Sequence, residues 1–173
     1  MFEFKRLRRE DLAMVMKWRT SQSVSRYMIS DMVPDLDAQV RWYNSTSNIP
    51  YWIIKSDDVP IGVINLSDTH KMHKKTSFGY YIAEEEYRKL GGMILTYFYN
   101  FVFDTLGFNK IAAEVFCDNS DVIKIHEAHG YRKVGIKADD VWKYDRYHDI
   151  MILELFKKTW IKKPFRNLTA TFE

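Results

Sequence analysis

The chain is poor in the residues that staple a protein or anchor it in a membrane. It has a single cysteine, Cys117, among 173 residues, so no internal disulfide can form, as is usual in a reducing compartment. No apolar run is long enough to span a bilayer, and the N-terminal segment MFEFKRLRRED carries charges where a signal peptide would be apolar. We therefore expect a soluble cytoplasmic protein with no membrane partner.

The sequence also lacks a strong excess of charge and any spacing typical of metal ligands. Its 26 basic and 23 acidic residues leave a net charge of +3. This balance fits an anionic ligand such as a nucleotide, but it is too weak to indicate a protein that binds duplex nucleic acid. The five histidines are spread along the chain without a third ligand near any pair, so we expect no metal site.

What the chain does have is apolar and aromatic side chains, at 46% and 16% of its residues, which predicts a globular core. The length suits a single domain over residues 1–173. Alternating and apolar runs predict strands at FEFKRL, in the hairpin YWIIKSDDVPIGVINLSD, and at TSFGYYIA, NKIAAEVFCD, YRKVGIKAD and YHDIMILELF. Helices are predicted between them, and the tail IKKPFRNLTATFE shows no periodicity. The order predicts an α/β (α+β) protein with a mixed sheet and helices on its faces.

The stretch EEEYRKLGGMIL places two of only seven glycines, Gly91 and Gly92, where a long apolar helix should begin. Glycine lowers helix stability, so the pair should have a reason. A basic, glycine-rich turn before a helix is a recurrent way to bind phosphate, because the first amides of a helix lack internal partners. Arg88 and Lys89 add full positive charge. An ordinary turn with solvated charges would explain the same residues about as well.

Together with this turn, the segments EVFCDN and HGYRKVG resemble the GNAT superfamily of acetyl-CoA-dependent N-acetyltransferases, from Phe4 to about Leu155. The resemblance implies a mostly antiparallel central sheet of about seven strands, flanked by helices on both faces. The family's loop pattern is Arg/Gln-x-x-Gly-x-Gly/Ala. Arg88, Gly91 and Met93 occupy its three fixed places, so Met93 stands where the family has Gly or Ala. An alternative register that ends on Gly91 would begin with Glu86, where the family has Arg or Gln.

The resemblance also implies which residues bind acetyl-CoA. The loop residues are Arg88, Lys89, Leu90, Gly91, Gly92 and Met93, and Asn119 lies at the start of the following short helix. Backbone groups of Tyr81 and Ile82 are expected to contact pantetheine where the strand GYYIA separates from the strand KIAAEV. One of these amides would donate to the oxyanion of the tetrahedral intermediate.

Acetyl transfer to an amine also requires that the amine lose a proton and that the departing thiolate be protonated. In many relatives the acid is a Tyr seven residues after the Asn of the short helix, and this count from Asn119 reaches His126. An imidazole can donate a proton, although His126 could also simply face the cofactor. Glu114, in the apolar strand AAEVF, could accept the amine proton or form a salt bridge. After the second strand of the hairpin come three further residues that could reach the acceptor site or equally form a solvated loop: Asp68, His70 and His73.

The segment KWRTSQSVSRYM resembles the W-R-N-x-x-x-(V/I)-x-x-(F/Y)-M signature of N-acetyltransferases that act on nucleotide-linked 4-amino-sugars, including the enzyme of pseudaminic-acid biosynthesis. Trp18, Arg19, Tyr27 and Met28 match it, and we predict that they bind the acceptor. Arg19 could bind a diphosphate. Trp18 and Tyr27 could equally be core residues.

The predicted function is therefore acetylation of the free amine of a UDP-linked 4-amino-deoxy sugar, with acetyl-CoA as co-substrate. Two other acceptors are a ribosomal-protein N-terminus and a small polyamine. The chain could also be a catalytically degenerate acetyl-CoA sensor, or an accessory subunit that needs a partner. The sequence leaves the oligomeric state open, and a homodimer is possible.

Overall fold

The computed structural model describes residues 1–46, 48–163 and 170–173. The strands are β1 (Phe2–Arg6), β2 (Tyr51–Ser56), β3 (Val59–His70), β4 (Lys75–Ile82), β5 (Lys110–Phe116), β6 (Arg132–Lys143), β7 (Arg146–Phe156) and β8 (Ala170–Phe172). The α-helices are α1 (Leu12–Thr20), α2 (Gln22–Ser25), α3 (Leu36–Ser45), α4 (Gly91–Asn100) and α5 (Ser120–Glu127). Short 3₁₀ turns at Arg9–Asp11 and Glu85–Leu90 precede α1 and α4, and a π-helical turn at Phe101–Thr105 extends α4.

The strands form an eight-stranded sheet in the order β6-β7-β5-β4-β3-β2-β1-β8. Antiparallel pairs join β1 to β2, β2 to β3, β5 to β7 and β6 to β7, whereas β4–β5 and β1–β8 are parallel. The predicted mixed, mostly antiparallel sheet is therefore confirmed, with one strand more than expected. The extra strand β8 comes from the tail that showed no periodicity.

Strand β8 escaped the sequence analysis because three residues are too few to show an alternating pattern. Its position depends on contacts distant in the chain: the ring of Phe172 stacks on that of Phe4, with the centroids 4.0 Å apart. Residues 164–169 of the same tail lie outside the described residues. So does Ser47, which was predicted to belong to the helix DLDAQVRWYNSTS.

Tight turns join the strands of two β-hairpins. Asp57 and Asp58 have φ of +47° and +70°, and Tyr144 and Asp145 have φ of +53° and +56°. Paired positive φ values match the twist of antiparallel strands. The β2–β3 hairpin was predicted at this turn. The second hairpin was predicted too short, because the residues VWKY were assigned to a loop. Trp142 instead packs edge-on against Tyr147 across the strands, at 4.8 Å between centroids.

The chain forms two compact units, each with its own core, and its prediction as a single domain over 1–173 stays a prediction. The first unit comprises Met1–Ser67, Gly79–Gly91 and the described chain end at 170–173. Its core contains a cluster of Leu7, Leu12, Val15, Trp18, Ile53 and Val63.

The second unit comprises Asp68–Phe78 and the chain from Gly92 to the described residue 163. Helix α4 is apolar on nearly every side, and its residues Ile94–Tyr99 are all buried. This explains the long apolar run in the sequence, since a helix buried all round needs no polar face. Fully buried residues of β5 and β7, such as Ile111 and Ile150, complete this core.

Candidate active site

A cavity of about 450 Å³ lies within the first unit. This size suits a small organic ligand. Residues from α1, α3, β2, β3 and β4 line it, together with the segment that follows α2: Leu7, Val15, Arg19, Met28, Ser30, Asp31, Met32, Val33, Ala38, Gln39, Trp42, Tyr51, Val63, Asn65, Gly79, Tyr80 and Tyr81. The lining is largely apolar and aromatic, with a few polar groups that can orient a ligand.

Arg19 is the buried cation of this cavity, with 9% of its surface exposed. Its position follows from helix periodicity: Leu12 and Val15 face the core, and Arg19 lies one turn after Val15. The Nη2 atom donates to the carbonyl and hydroxyl oxygens of Ser30, at 2.9 and 3.1 Å. Burial lowers the pKa of Arg19, but an arginine stays charged at neutral pH.

No ion pair with Arg19 is seen in the described part of the chain. The other charged residue of the cavity lining is Asp31, which is solvent-exposed and contributes to the electrostatic field at Arg19. A guanidinium taken out of water and left with neutral acceptors is costly unless an anion joins it. The cavity is therefore suited to a ligand that carries negative charge.

Two tyrosines face this cation. Tyr51 and Tyr81 both interact electrostatically with Arg19, and the buried Oη of Tyr81 has no hydrogen-bond partner among the described residues. Burial raises the pKa of Tyr81 well above its ordinary value, so its hydroxyl stays neutral and can donate. A polar ligand in the cavity would satisfy this hydroxyl.

A close contact between strands places Tyr81. A Cβ atom at Gly62 would lie 2.1 Å from the carbonyl oxygen of Tyr81, so β3 and β4 can approach here only because residue 62 is glycine. Beyond this point the Ala83 amide donates to the Ile61 carbonyl at 2.7 Å. Tyr81 had been proposed from the sequence for its backbone; the structure adds its side chain to the cavity.

The four acceptor residues predicted from the sequence lie in different surroundings. Arg19 and Met28 line the cavity, whereas Trp18 belongs to the hydrophobic core, where its indole donates to Glu84 at 3.0 Å. Tyr27 lies beneath the guanidinium of Arg26, 4.7 Å from ring centroid to Cζ. An acceptor role for all four residues stays a prediction.

Helix α3 buries a polar residue beside its apolar face. Val40 and Tyr43 pack against the core cluster of the first unit, whereas Leu36 is 45% exposed and Gln39 is the buried residue of this helix. Because a cavity lies beside α3, a polar side chain can be enclosed there without entering the apolar core. Gln39, Tyr51 and Asn65 carried no sequence signal that pointed to a ligand.

The glycine turn was correctly placed at the start of the long helix. Gly91 begins α4 with a φ of −53°, and among the described glycines only Gly107 and Gly130 have positive φ. Added Cβ atoms would meet their nearest neighbours at ordinary contact distances, 3.8 Å from Tyr80 Oη for Gly91 and 3.8 Å from Ile125 Cγ2 for Gly92.

Neither backbone conformation nor internal packing therefore requires glycine at these positions. A ligand that approaches the backbone closely would require it, and a pyrophosphate at the first amides of α4 fits this requirement. Tyr80 connects this turn with the cavity inside the first unit, since it lines the cavity and lies beside Gly91. Arg88 is half-buried and Lys89 is exposed in the turn.

The remaining cofactor residues lie where secondary structure changes. Asn119 precedes the first residue of α5, and its amide donates to the Phe116 carbonyl at 2.9 Å. In the second unit, β4 pairs with β5 over Lys75–Ser77. Tyr81 and Ile82 follow further along β4, and their backbone roles stay predictions.

His126 lies in the core of the second unit, only 1% exposed. Its Nδ1 is 3.3 Å from Tyr99 Oη, and the rings of Phe78 and Tyr131 pack against it. Burial, aided by the nearby His129, lowers the pKa of His126 to about 3, so the imidazole is neutral at pH 7. A structural role follows from this burial, and the proton-donor role stays a prediction.

Replacing His126 with alanine should reduce the free energy of unfolding at pH 7 by about 2–4 kcal/mol, because it leaves a cavity in a packed core. An unfolded histidine titrates near pH 6.5 and the folded one near 3, so the unfolded chain binds more protons between these values. The wild type should thus lose stability as the pH falls from 6.5 toward 3, and the variant should lose less. Urea unfolding at pH 7 and pH 5 measures both effects.

His126→Phe keeps a planar aromatic ring in the core and removes the ring nitrogens that carry the proton, so it tests the donor role without leaving a cavity. If His126 is the general acid, kcat should fall ~10²-fold while the KM for acetyl-CoA stays unchanged. An unchanged kcat would remove His126 from the proton transfer.

Glu114 faces the exposed side of β5 and forms an ion pair with Lys137 at 2.5 Å, which raises the pKa of that lysine. The salt bridge considered from the sequence is therefore present, and the general-base role stays a prediction. His70 is exposed and stacks on His73, with centroids 4.1 Å apart. In the described ranges, no three His, Cys, Asp or Glu side chains are grouped to hold a metal ion.

Comparison with known proteins identifies the family. The model of the acetyltransferase (GNAT) domain matches residues 2–132. The chain therefore belongs to the GNAT acetyltransferase family, and it is an N-acetyltransferase, as its sequence resemblance implied. Enzymes of this family use acetyl-CoA. Over the described residues, no helix combines the length and apolar character needed to cross a membrane.

The individual proteins that resemble this chain share low sequence identity with it. Acetyltransferase PseH of Campylobacter jejuni subsp. jejuni serotype O:23/36 (strain 81-176) is 23% identical over 131 residues, covering 74% of this chain and 81% of that protein. The PseH of serotype O:2 (strain ATCC 700819 / NCTC 11168) is 24% identical over the same length. Spermidine N-acetyltransferase from Vibrio cholerae, solved in complex with CoA and spermine, has a TM-score of 0.84 at 17% identity, over 91% of this chain and 96% of that one. This last likeness confirms the fold.

Proposed function

We propose that this N-acetyltransferase transfers an acetyl group from acetyl-CoA to the free amine of a UDP-linked 4-amino-deoxy sugar bound in the 450 Å³ cavity. The observation that carries the proposal is the buried Arg19, which faces the cavity with only neutral hydrogen-bond partners. Similarity to Acetyltransferase PseH supports it. So does the segment from Trp18 to Met28, which resembles the signature of N-acetyltransferases that act on nucleotide-linked 4-amino-sugars.

Electrostatics separates a nucleotide-sugar from a polyamine in this cavity. Arg19 and Asp31 are the charged residues among the described lining, and they differ in burial. Solvent screens the exposed Asp31, while the enclosed Arg19 acts at a low effective dielectric constant. Opposite charges 4 Å apart near a protein surface attract by roughly 4 kcal/mol, and like charges repel as much. A diphosphate is therefore favoured and a polycation such as spermidine is disfavoured.

The rest of the lining fits the sugar part of the acceptor. A deoxy sugar presents both hydroxyl groups and apolar carbon atoms, so it needs partners of both kinds. Val15, Met28 and Trp42 offer apolar contact, while Asn65 and the unpartnered hydroxyl of Tyr81 offer hydrogen bonds. Enclosed polar groups of this kind reject ligands that leave them unsatisfied.

For the cofactor, the turn from Arg88 to Met93 and Asn119 bind the phosphates in this proposal, with Tyr81 and Ile82 contributing backbone groups. Acetyl-CoA supplies the activated acyl group when it is bound. The chain's own contribution is the pair of glycines, which leaves the first amides of α4 open to close approach, and the positive charge of Arg88 and Lys89. Glu114 and His126 remain the proposed proton acceptor and donor.

A direct assay tests the acceptor. The purified protein is incubated with acetyl-CoA and either a UDP-linked 4-amino-deoxy sugar, spermidine or a peptide that begins with Ser or Ala, and release of free CoA is followed. We expect turnover with the nucleotide-sugar, and competitive inhibition by UDP against that acceptor.

Three outcomes contradict the proposal in different ways. Turnover of spermidine that is insensitive to millimolar UDP would establish a polyamine acetyltransferase. Acetylation of the peptide would establish an N-terminal acetyltransferase. Calorimetric binding of acetyl-CoA without turnover of any acceptor would favour a sensor or an accessory subunit.

A further inference from the structure

A second buried histidine, His129, connects the end of α5 to the first turn of α4. It is 2% exposed and lies two residues after Glu127, the last residue of α5. Its Nδ1 lies 2.8 Å from the Ile125 carbonyl, and its Nε2 lies 3.0 Å from the hydroxyl of Thr96. The same hydroxyl is 3.2 Å from the Gly92 carbonyl, one turn earlier in α4.

The direction of these hydrogen bonds follows from the protonation state of His129. Burial lowers its pKa, so the ring is neutral at pH 7. Nδ1–H donates to the Ile125 carbonyl, which leaves Nε2 as an acceptor. The single hydroxyl hydrogen of Thr96 is therefore shared between Nε2 of His129 and the Gly92 carbonyl, which both face it as acceptors. The hydroxyl is thereby held between its own helix α4 and His129, which lies just beyond the end of α5.

Gly92 also lies close to the C-terminal end of α5. A Cβ atom added there would lie 3.8 Å from Ile125 and 3.9 Å from the His129 ring, so only ordinary contact separates the first turn of α4 from α5. His129 is itself held in place, because its carbonyl accepts from the Ile161 amide at 3.0 Å and Gly130 continues in the left-handed region at φ +96°. The first turn of α4 thus rests on a rigid support.

We propose that His129 and Thr96 are positioning residues for acetyl-CoA: they hold the first turn of α4 in the conformation that binds the pyrophosphate. This inference rests on the proposed placement of the cofactor at Gly91 and Gly92. Neither side chain contacts the cofactor in this proposal, and neither takes part in the transfer of the acetyl group. Because these two residues order the loop before acetyl-CoA binds, the loop loses less conformational entropy on binding.

The test replaces Thr96 with valine, which has the same shape and β-branching but no hydroxyl. Calorimetry should show acetyl-CoA affinity about tenfold weaker, since a small misplacement of binding groups is enough for such a loss. The kcat at saturating acetyl-CoA and the KM of the acceptor should match the wild type. Thr96→Ser keeps the hydroxyl and should bind acetyl-CoA as the wild type does.

Tyr99→Phe is the matched control for general loosening of this core. It removes a hydroxyl that lies 3.3 Å from Nδ1 of the buried His126, and it keeps the ring that packs edge-on against His129. It should lower the melting temperature without changing acetyl-CoA affinity. Equal weakening by Tyr99→Phe and Thr96→Val would overturn the proposal, as would wild-type affinity in Thr96→Val.

A glycine variant separates failure of this inference from failure of the cofactor site. If Gly91→Val/Gly92→Val loses affinity and Thr96→Val does not, only the positioning role is wrong. Unchanged affinity in the glycine variant would overturn both the cofactor placement and the positioning role.

Discussion

Replacing Gly91 and Gly92 together with valine is expected to weaken acetyl-CoA binding by at least ~100-fold in a protein that still folds. The added side chains would keep the pyrophosphate away from the first amides of α4. The loss of two hydrogen bonds to a charged group, at about 1.5 kcal/mol each, corresponds to this factor.

The folded state should tolerate the first added carbon atoms, because each Cβ would meet its nearest neighbours at 3.8 Å. Alanine at both positions should therefore stabilise the folded protein while it weakens the binding of acetyl-CoA. It should raise the free energy of unfolding by up to about 1 kcal/mol per site, since glycine is a poor helix former, while it lowers acetyl-CoA affinity. If this turn does not bind the cofactor, the alanine variant should be more stable than the wild type and should bind acetyl-CoA with unchanged affinity.

Titration calorimetry with acetyl-CoA measures the affinity, and urea unfolding measures the stability. Gly135→Ala is a suitable control, because Gly135 lies in β6 with open space around its Cβ position. It should leave acetyl-CoA affinity unchanged. Wild-type affinity in the folded valine variant would place the cofactor elsewhere on the chain.

Replacing Arg19 with methionine should lower kcat/KM for the UDP-linked amino sugar by ~100-fold or more and abolish inhibition by UDP. The change keeps the length of the side chain and removes the buried charge that faces the cavity. Charge-assisted bonds to phosphate are the strongest that the cavity offers, and truncating a partner of a buried charge commonly costs about 2–5 kcal/mol. Arg19→Lys should fall between methionine and the wild type, because it keeps the charge but loses the planar fork.

Two comparisons distinguish recognition from folding. Ser30→Ala removes one of the two hydrogen bonds of Arg19 without removing its charge, so it should change kcat/KM far less than Arg19→Met. Any residual turnover of spermidine should not fall in Arg19→Met, since the variant relieves repulsion of a polycation. Equal loss of activity with both acceptors in a folded Arg19→Met protein would make Arg19 a structural residue and remove the support for an anionic acceptor.

The sequence alone determined the features that depend on local pattern. Alternation and apolar runs predicted seven of the strands, because a strand that is half-buried or buried must show period 2 or a continuous apolar run. The long apolar run after Gly92 predicted a helix, and α4 begins at Gly91. The spacing of the glycine turn, EVFCDN and HGYRKVG indicated the GNAT family, which the match over residues 2–132 confirms.

Only the tertiary structure decided where the chemically interesting side chains lie. His126 was counted onto a catalytic position, but its neighbours Tyr99 and Phe78 come from other elements and enclose it in the core. Trp18 and Arg19 are adjacent in one signature, yet one packs in the core and the other faces the cavity. Burial, and with it the pKa and the charge that a ligand meets, depends on residues brought together from distant parts of the chain, which no local pattern records.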